Sequence, residues 1–413
     1  LLQYVLSIHV QWLILPAVPL YNVDISAMLV ITAAVLDLFL DPDAPVIAPK
    51  LTVNYLYFLG ALAVCGVLGY WPGLAWRQLL SVSILVATFF ALFRLSAKLP
   101  ISQLINWFVI LAILHSAYVL VPYIASGGVM RSFGLARSIF GHQAMAALPV
   151  ALALYFGAPQ RKAGRYLLGT VIILGGLIAT QSRAPIAFGL VSCAFVFLVV
   201  RNRTKDTGNN GEFARLARGR VKFVIWATVG AVAATLLLSS GVFADVIDRF
   251  AELLSLDPKG TFRFRLILWE KSVMAFLDHP IFGVGPGGYK YLNDIYPHLH
   301  LDPTYAYLRQ MTAHNLLLHY LAETGLLGGL ALIALMVNKL RLTRSGWRQS
   351  ALPASGVALA LYAWAFLFAL SSCIDAAWMY GQLSFLAIFF AALVARQAAE
   401  IGAGAGREAD RPT

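Results

Sequence analysis

The sequence predicts an all-α polytopic membrane protein with about twelve transmembrane helices, on three observations. Hydrophobic residues make up 60% of 413 positions and charged residues only 12%. A soluble domain carries roughly 25% charged residues, and so small a share cannot cover a water-facing surface of this size. The apolar runs are also long and continuous. In hydrocarbon every backbone polar group needs an internal partner, so spans are helices or a closed barrel. Barrel strands read as alternating segments of about ten residues, which this chain lacks.

Runs of about 17 or more apolar residues fall near 4–20, 24–40, 52–70, 75–96, 102–124, 140–157, 166–182, 184–200 and 221–243, then 314–337, 353–373 and 376–396. Residues 1–243 therefore hold nine spans, 244–313 form a long connection, 314–396 hold three more spans, and 397–413 are a polar tail. Only Arg183 separates the seventh and eighth runs, and only a short link at Asp375 separates the last two. Assigning each Lys and Arg to its nearer side places 20 on one side and 11 on the other, with 7 of the 11 in 244–313. Long loops translocate regardless of charge, so the richer side is cytoplasmic. Both termini are then expected in the cytoplasm, with 244–313 facing outward. No signal peptide is expected, because the first residues show neither a basic region nor a cleavage site.

The formal net charge of +12 is accounted for by inner-leaflet anchoring. No basic patch interleaved with exposed aromatics points to nucleic acid. The basic loop 201–222 reads the same way, and membrane lipids are its expected partner. Cys65, Cys193 and Cys373 lie within apolar runs and read as small core residues. No zinc spacing, nucleophile elbow or internal repeat is present. Asp41-Pro42-Asp43 has a D-x-D pattern but falls on the cytoplasmic side, where it reads as a solvated turn.

The 70-residue connection is composed neither like membrane filler nor like disorder, and long connections of that kind are usually functional. Thr261 can cap a helix over 262–277, in which Phe262, Leu266, Trp269, Val273 and Phe276 recur at helical spacing. Such a helix lies on the membrane or caps a cavity. Asp278-His279-Pro280 stop it, and the glycine-dense run 283–289 follows. That run follows no strand and opens no helix, so it is not a dinucleotide fingerprint. It suits close backbone packing.

Ionisable groups at a lipid boundary are costly and therefore candidates for function. Arg183 stands in Gln181-Ser182-Arg183-Ala184-Pro185, where Ser182 can cap a helix carrying Pro185 in its first turn. A helix N-terminus beside a guanidinium suits phosphate, and a snorkelling anchor is the alternative. Arg263 and Arg265 open the outer helix on different faces, and an arginine fork matches a diphosphate. His314, followed by Asn315, begins the tenth span, where the helix dipole favours a neutral imidazole, as a general base requires. Glu323 lies half a turn around that helix, so any partner orienting His314 must come from elsewhere. Arg131 and Arg137, near Gly141-His142-Gln143, add positive charge in a second outer loop.

His314-Asn315, nine residues, then Gly325-Leu326-Leu327-Gly328 resembles the H-[NSQ]-x9-G-x-x-[GTY] pattern of bacterial O-antigen ligases and their polymerase relatives. The run from Arg265 to Trp269 and on through Asp278-His279-Pro280 to Gly283 and Gly285 resembles the main periplasmic loop of that superfamily. Arg183 in Gln-Ser-Arg matches the family's arginine at an outer helix junction. These motifs cover about a quarter of the chain, and architecture alone matches elsewhere. One departure is His142-Gln143, where relatives often carry Pro-Asn. The resemblance implies a GT-C-like fold and a metal-independent glycosyltransferase of the bacterial inner membrane that needs no cofactor. The implied donor is an undecaprenyl-diphosphate-linked glycan. The implied acceptor is a sugar hydroxyl of lipid A–core in a ligase, or a second lipid-linked repeat in a polymerase. Carried over residue by residue, Arg183 and Arg265 bind the diphosphate and His314 meets the acceptor hydroxyl, as catalytic residues. Arg263, Arg131 and Asn315 are expected to assist substrate binding. A secondary transporter or lipid flippase is the rival class, but no repeated halves with broken helices support it.

Overall fold

The computed structural model describes residues 11–15, 18–43, 49–126, 136–206, 219–220, 261–296, 311–350, 355–375, 377–379 and 381–409. The protein is a polytopic, predominantly helical membrane protein. Among the described residues nine helices are long and apolar enough to cross a bilayer, and Ser26–Leu40 is a shorter apolar helix. The predicted ninth span, 221–243, lies outside the described residues. The chain divides into two compact units.

The first unit contains α4 (Ile101–Ala125), α5 (Ala136–Gly157), α6 (Gln160–Ala179) and α7 (Arg183–Asp206), together with residues 347–367. α5 is buried along almost its whole length and packs against α6 and α7. Small residues set the close approaches, as is usual where lipid supplies no hydrophobic drive between helices. A Cβ on Gly157 would stand 2.1 Å from Gly356 Cα, and one on Gly176 would stand 2.6 Å from Ser116 Cβ. The predicted span 140–157 is α5, which begins at Ala136 and buries the side chains of His142 and Gln143.

The second unit begins with two short antiparallel strands, β1 (Gln11–Leu15) and β2 (Val18–Tyr21), which pair Trp12 with Leu20. Where the predicted helical span 4–20 falls on described residues, 11–15 and 18–20, it is corrected to strand, since Pro16 and Pro19 lack the N–H that a helix interior needs; the rest of that span lies outside the described residues. Next come α1 (Asn22–Leu40), α2 (Pro49–Leu68) and α3 (Pro72–Ser96), with α3 packed against both α1 and α2. One end of this bundle is tied by a buried ion pair, Arg94 Nε to Asp37 Oδ2 at 2.8 Å, with Lys98 on the second carboxylate oxygen. Arg94 also donates to the carbonyl of Asp41, so the D-x-D segment is a turn held by its backbone. Apolar side chains such as Val53, Leu56 and Val67 remain exposed on α2, as expected for surface that meets lipid.

The unit continues with α8 (Thr261–Asp278), a glycine-rich turn, α9 (Leu316–Gln349), α10 (Ser355–Ser372) and α11 (Gly381–Ala409); α9 and α10 each run across the boundary between units. α8 forms where predicted, with its more polar face turned inward. Leu268, Lys271, Ser272 and Ala275 are buried, whereas Leu266, Val273 and Leu277 are exposed. The buried polar groups are accommodated by Tyr289: Ser272 Oγ lies 3.3 Å from its hydroxyl, and Lys271 Nζ sits 4.8 Å from its ring centroid. The apolar stripe is left outside, as suits a helix lying on a membrane.

α9 is one helix by hydrogen bonding but breaks at Gly325, whose φ of 56° and ψ of −152° fall in a region open essentially only to glycine. The segment 280–285 enters the break. Val284 and Gly285 N–H donate to the carbonyls of Ala322 and Glu323 at 3.0 and 2.9 Å. Leu326 and Leu327 N–H donate to the carbonyls of Pro280 and Ile281 at 2.8 and 3.2 Å. Gly283, at φ 65°, packs so closely that a Cβ there would stand 2.3 Å from Glu323 C.

Gly325→Ala and Gly283→Ala should each lower thermal stability severely, beyond the roughly 1–3 kcal/mol of backbone strain alone, because the added carbon meets backbone atoms within 2.4 Å. Gly60→Ala, with nothing within 4 Å, should be neutral or stabilising. Thermal unfolding of the three purified variants decides this; equal melting temperatures would refute the interlocked joint.

Burial pulls the Lys271 ammonium down to about 8 from its ordinary value, partly opposed by Asp294. The unfolded chain therefore holds a proton the folded chain lacks between about pH 8 and 10.5, so stability rises with pH across that window. Melting temperature should climb from pH 8 to 10, and Lys271→Met should remove the climb and raise the value at pH 7. A parallel climb in Lys271→Met would contradict the assignment.

Candidate functional site

In the second unit, Asn315 closes the start of α9: its Oδ1 accepts the Leu318 N–H at 3.0 Å, and its carbonyl accepts the His319 N–H at 2.9 Å. This is N-cap geometry, and it satisfies donors that the helix leaves open. The Asn315 amide reaches the other way, donating Nδ2 to the Cys373 carbonyl at 2.6 Å. One side chain thus starts a helix and pins the end of α10.

His314 precedes the cap and adopts a left-handed backbone, with φ of 49°. Such a conformation is uncommon for a residue with a side chain. It brings Nδ1 to 3.9 Å from Asp375 Oδ1, within ion-pair reach but beyond a hydrogen bond. The second carboxylate oxygen of Asp375 lies 3.3 Å from Arg265 NH2, and Arg265 NH1 donates to the Ile374 carbonyl at 3.2 Å. Asp375 itself is buried, whereas Arg265 and His314 are half-buried. Three consecutive residues, 373–375, therefore gather Asn315, Arg265 and His314 around one carboxylate.

Residues 168–333 match the family described as O-antigen ligase. The match covers 166 of the chain's 413 residues, so it is this segment that is similar to the family. No curated protein matches the chain. The family comprises ligase- and polymerase-type glycosyltransferases. The matched segment runs from within α6 through α7 and α8 to the broken part of α9; Asp375 lies beyond its last residue.

Arg183, also within the matched segment, belongs to the first unit. It is the first residue of α7, half-buried, after a tight turn in which Ser182 N–H meets Thr180 Oγ1 at 3.3 Å and the Ser182 carbonyl accepts the Ile186 N–H at 3.2 Å. Gly141 of α5 lies against that turn, where a Cβ would stand 3.1 Å from Ser182 Cβ. Gln181 has φ of 52°. Among the described residues, Gln181 and His314 are the two non-glycine residues with positive φ, and each opens a sequence motif singled out above. Arg131 and the side chains of Arg137 and Arg263 lie outside the described residues.

Sequence reasoning missed Asp375 as a site residue. The signal was present: an acid flanked by apolar runs is as costly as the Arg183 that was noticed. It did find that Glu323 is not the partner of His314. Glu323 instead accepts the Tyr289 N–H at 3.1 Å and lies 3.4 Å from His319 Nε2.

Arg265→Ala and Asp375→Ala should be strongly non-additive in unfolding free energy, with a coupling of about 0.5–3 kcal/mol for groups in direct contact. A double-mutant cycle by thermal denaturation measures this, and additive effects would exclude the pair.

Proposed function

We propose that the protein is a metal-independent, inverting glycosyltransferase. It moves a glycan from undecaprenyl diphosphate to a sugar hydroxyl at the periplasmic face of the inner membrane. The reading preferred is O-antigen ligase acting on lipid A–core. One observation carries it: a half-buried imidazole and a half-buried guanidinium share a single buried carboxylate beside the cap of the last helix in the matched segment.

In the proposed step the acceptor oxygen attacks the anomeric carbon and forms the new C–O bond. The bond from that carbon to the diphosphate oxygen breaks, and its electron pair leaves with the diphosphate. His314 takes the acceptor proton, and Asp375 stabilises the imidazolium so formed. Arg265 is held by Asp375 and the Ile374 carbonyl but keeps further N–H donors for the leaving diphosphate. Fixed donors in a water-poor site stabilise developing charge without reorganisation. Arg183, at a helix N-terminus, is the second proposed diphosphate ligand, and Arg263, Arg131 and Asn315 are proposed to assist binding. A polysaccharide polymerase using the same residues is the second reading, since the family includes both kinds.

His314→Ala should lower transfer by about 10²–10⁴, the usual contribution of a positioned base, and Arg265→Ala should be similarly impaired with normal expression. Chelation should leave the rate unchanged. The assay uses purified protein with lipid-linked repeats, with and without lipid A–core. Undiminished transfer by Arg265→Ala, or loss on chelation, would defeat the mechanism. Chain growth without lipid A–core would instead identify a polymerase.

A further inference from the structure

In the first unit, α6 opens with three cations: Arg161, Lys162 and Arg165 stand in its first two turns, and all are exposed. Helix stability does not explain them. Cations at an N-terminus oppose the helix dipole, and Arg161 and Arg165, four residues apart, repel each other. From 102 to 205 the chain has no Asp or Glu, so no acid on α4, α5 or α6 neutralises them. The patch also precedes residue 168, where the similarity to the O-antigen ligase family begins.

The face of α6 that carries the arginines then turns apolar. Arg161, Gly164, Arg165 and Leu168 follow helical spacing and are all exposed. Gly164 leaves a notch among them, where a Cβ would meet nothing within 4 Å. α4 lies alongside. Tyr166 Oη donates to Asn106 Oδ1 at 2.7 Å, and a Cβ on Gly169 or Gly176 would stand 2.5 or 2.6 Å from Ile113 Cδ1 or Ser116 Cβ. These contacts advance together, so α4 and α6 run parallel and begin at the same end, the one expected in the cytoplasm. A rotation of about 100° per residue puts the exposed stripes of the two helices on the same side of that seam. At its head, Arg165 Cζ lies 5.3 Å from the centroid of the Tyr166 ring that is bonded to α4. Trp107, next to Asn106, is 50% exposed, as suits an aromatic residue at a bilayer interface. Farther along, Ile110 and Leu168 remain exposed.

We infer that this seam binds one anionic phospholipid, with its phosphate on Arg161 and Arg165, its glycerol in the notch at Gly164 and an acyl chain along Ile110 and Leu168. Charge complementarity selects the head group: a zwitterionic lipid brings a cation of its own into the patch, and phosphatidylglycerol does not. The adjoining apolar stripe selects a lipid over an acidic protein segment, which would engage the cations and leave the stripe bare. General attraction of basic residues to an anionic leaflet needs only charge; this site also needs the notch. It does not rest on the glycosyl-transfer reading.

The test uses the full chain in detergent, with phosphatidylglycerol and phosphatidylcholine of identical chains as probes and affinities read by native mass spectrometry. Wild type should hold one phosphatidylglycerol and prefer it by about tenfold or more. Arg161→Gln/Arg165→Gln should lose that preference. Gly164→Leu keeps every charge, favours the helix and should weaken phosphatidylglycerol by about tenfold. Either variant tests the inference if the other does not fold. Arg341→Gln/Arg344→Gln removes the same charge from exposed positions on α9 and should bind as wild type does. Equal affinity of wild type for the two lipids would overturn the inference, as would unchanged binding in Gly164→Leu. Equal loss in the α9 variant would do the same, marking attraction by net charge alone. Competition at equal concentration by glycerol phosphate would mark a bare anion site, and by poly-glutamate a protein-docking face; either result would refute the lipid site.

Discussion

The second unit depends on backbone hydrogen bonds exchanged across the break in α9. A helix interrupted within or beside hydrocarbon exposes carbonyls and amides that no water can satisfy, at several kcal/mol each. Here the glycine-rich segment supplies the missing partners on both sides of Gly325, two donors to one side and two acceptors to the other. The exchange is possible only if two backbones approach within hydrogen-bonding distance, and any Cβ at Gly283 or Gly325 would occupy that space. Once docked, the segment carries Tyr289 onto Glu323 and closes a small core of Ala275, Val284, Leu292 and Ala322. α8 and the start of α9 are thereby fixed to each other without a long hydrophobic interface.

That fixation sets the electrostatics. Arg265 comes from α8, His314 from the residue before the α9 cap, and Asp375 from the link between α10 and α11. An isolated carboxylate buried like Asp375 is too costly to remain charged, whereas one beside a guanidinium is tolerable. The pair has little net charge, so Arg265 is a weaker attractor of anions than a free guanidinium. In exchange its orientation is fixed, because two of its nitrogens are already spoken for. In the proposed reaction this favours transition-state stabilisation over ground-state binding: a preorganised fork acts when negative charge develops and holds a resting anion less tightly.

The membrane helices were legible in the sequence because lipid enforces one rule along the whole chain, and runs from 24–40 through 184–200 reappear as helices with shifted ends. Failures came where local chemistry overrode hydropathy. Two prolines turned the first apolar run into paired strands. In α8 the apolar stripe stays outside as read, and what hydropathy leaves unsaid is that Tyr289, eighteen residues beyond Lys271, gives the polar face something to bury against. Periodicity cannot report such a partner. The same applies to Asp375, which meets Arg265 across 110 residues of sequence. Hydropathy identified it as a separator between runs and could not say what it touches.

The spacing from His314 to Gly328 follows from the same geometry. Asn315 is held at the Cys373 carbonyl, and Gly325 is held against Ile281. The helical segment between these two anchors has a fixed length and a fixed rotation. Each residue added or removed would turn one end by about 100° relative to the other, breaking either the cap or the joint. Gly328 belongs to the second anchor. Thr324, whose hydroxyl donates to the Tyr320 carbonyl, fills the space where a Cβ at 328 would sit, 2.1 Å from Thr324 Oγ1. A histidine, an amide, nine residues and two glycines thus describe a measured rod with a joint at each end. The histidine sits outside the first joint, where the left-handed turn points it at the carboxylate. What looks in sequence like a catalytic signature is, in large part, a specification for holding one imidazole at a set place on a broken helix.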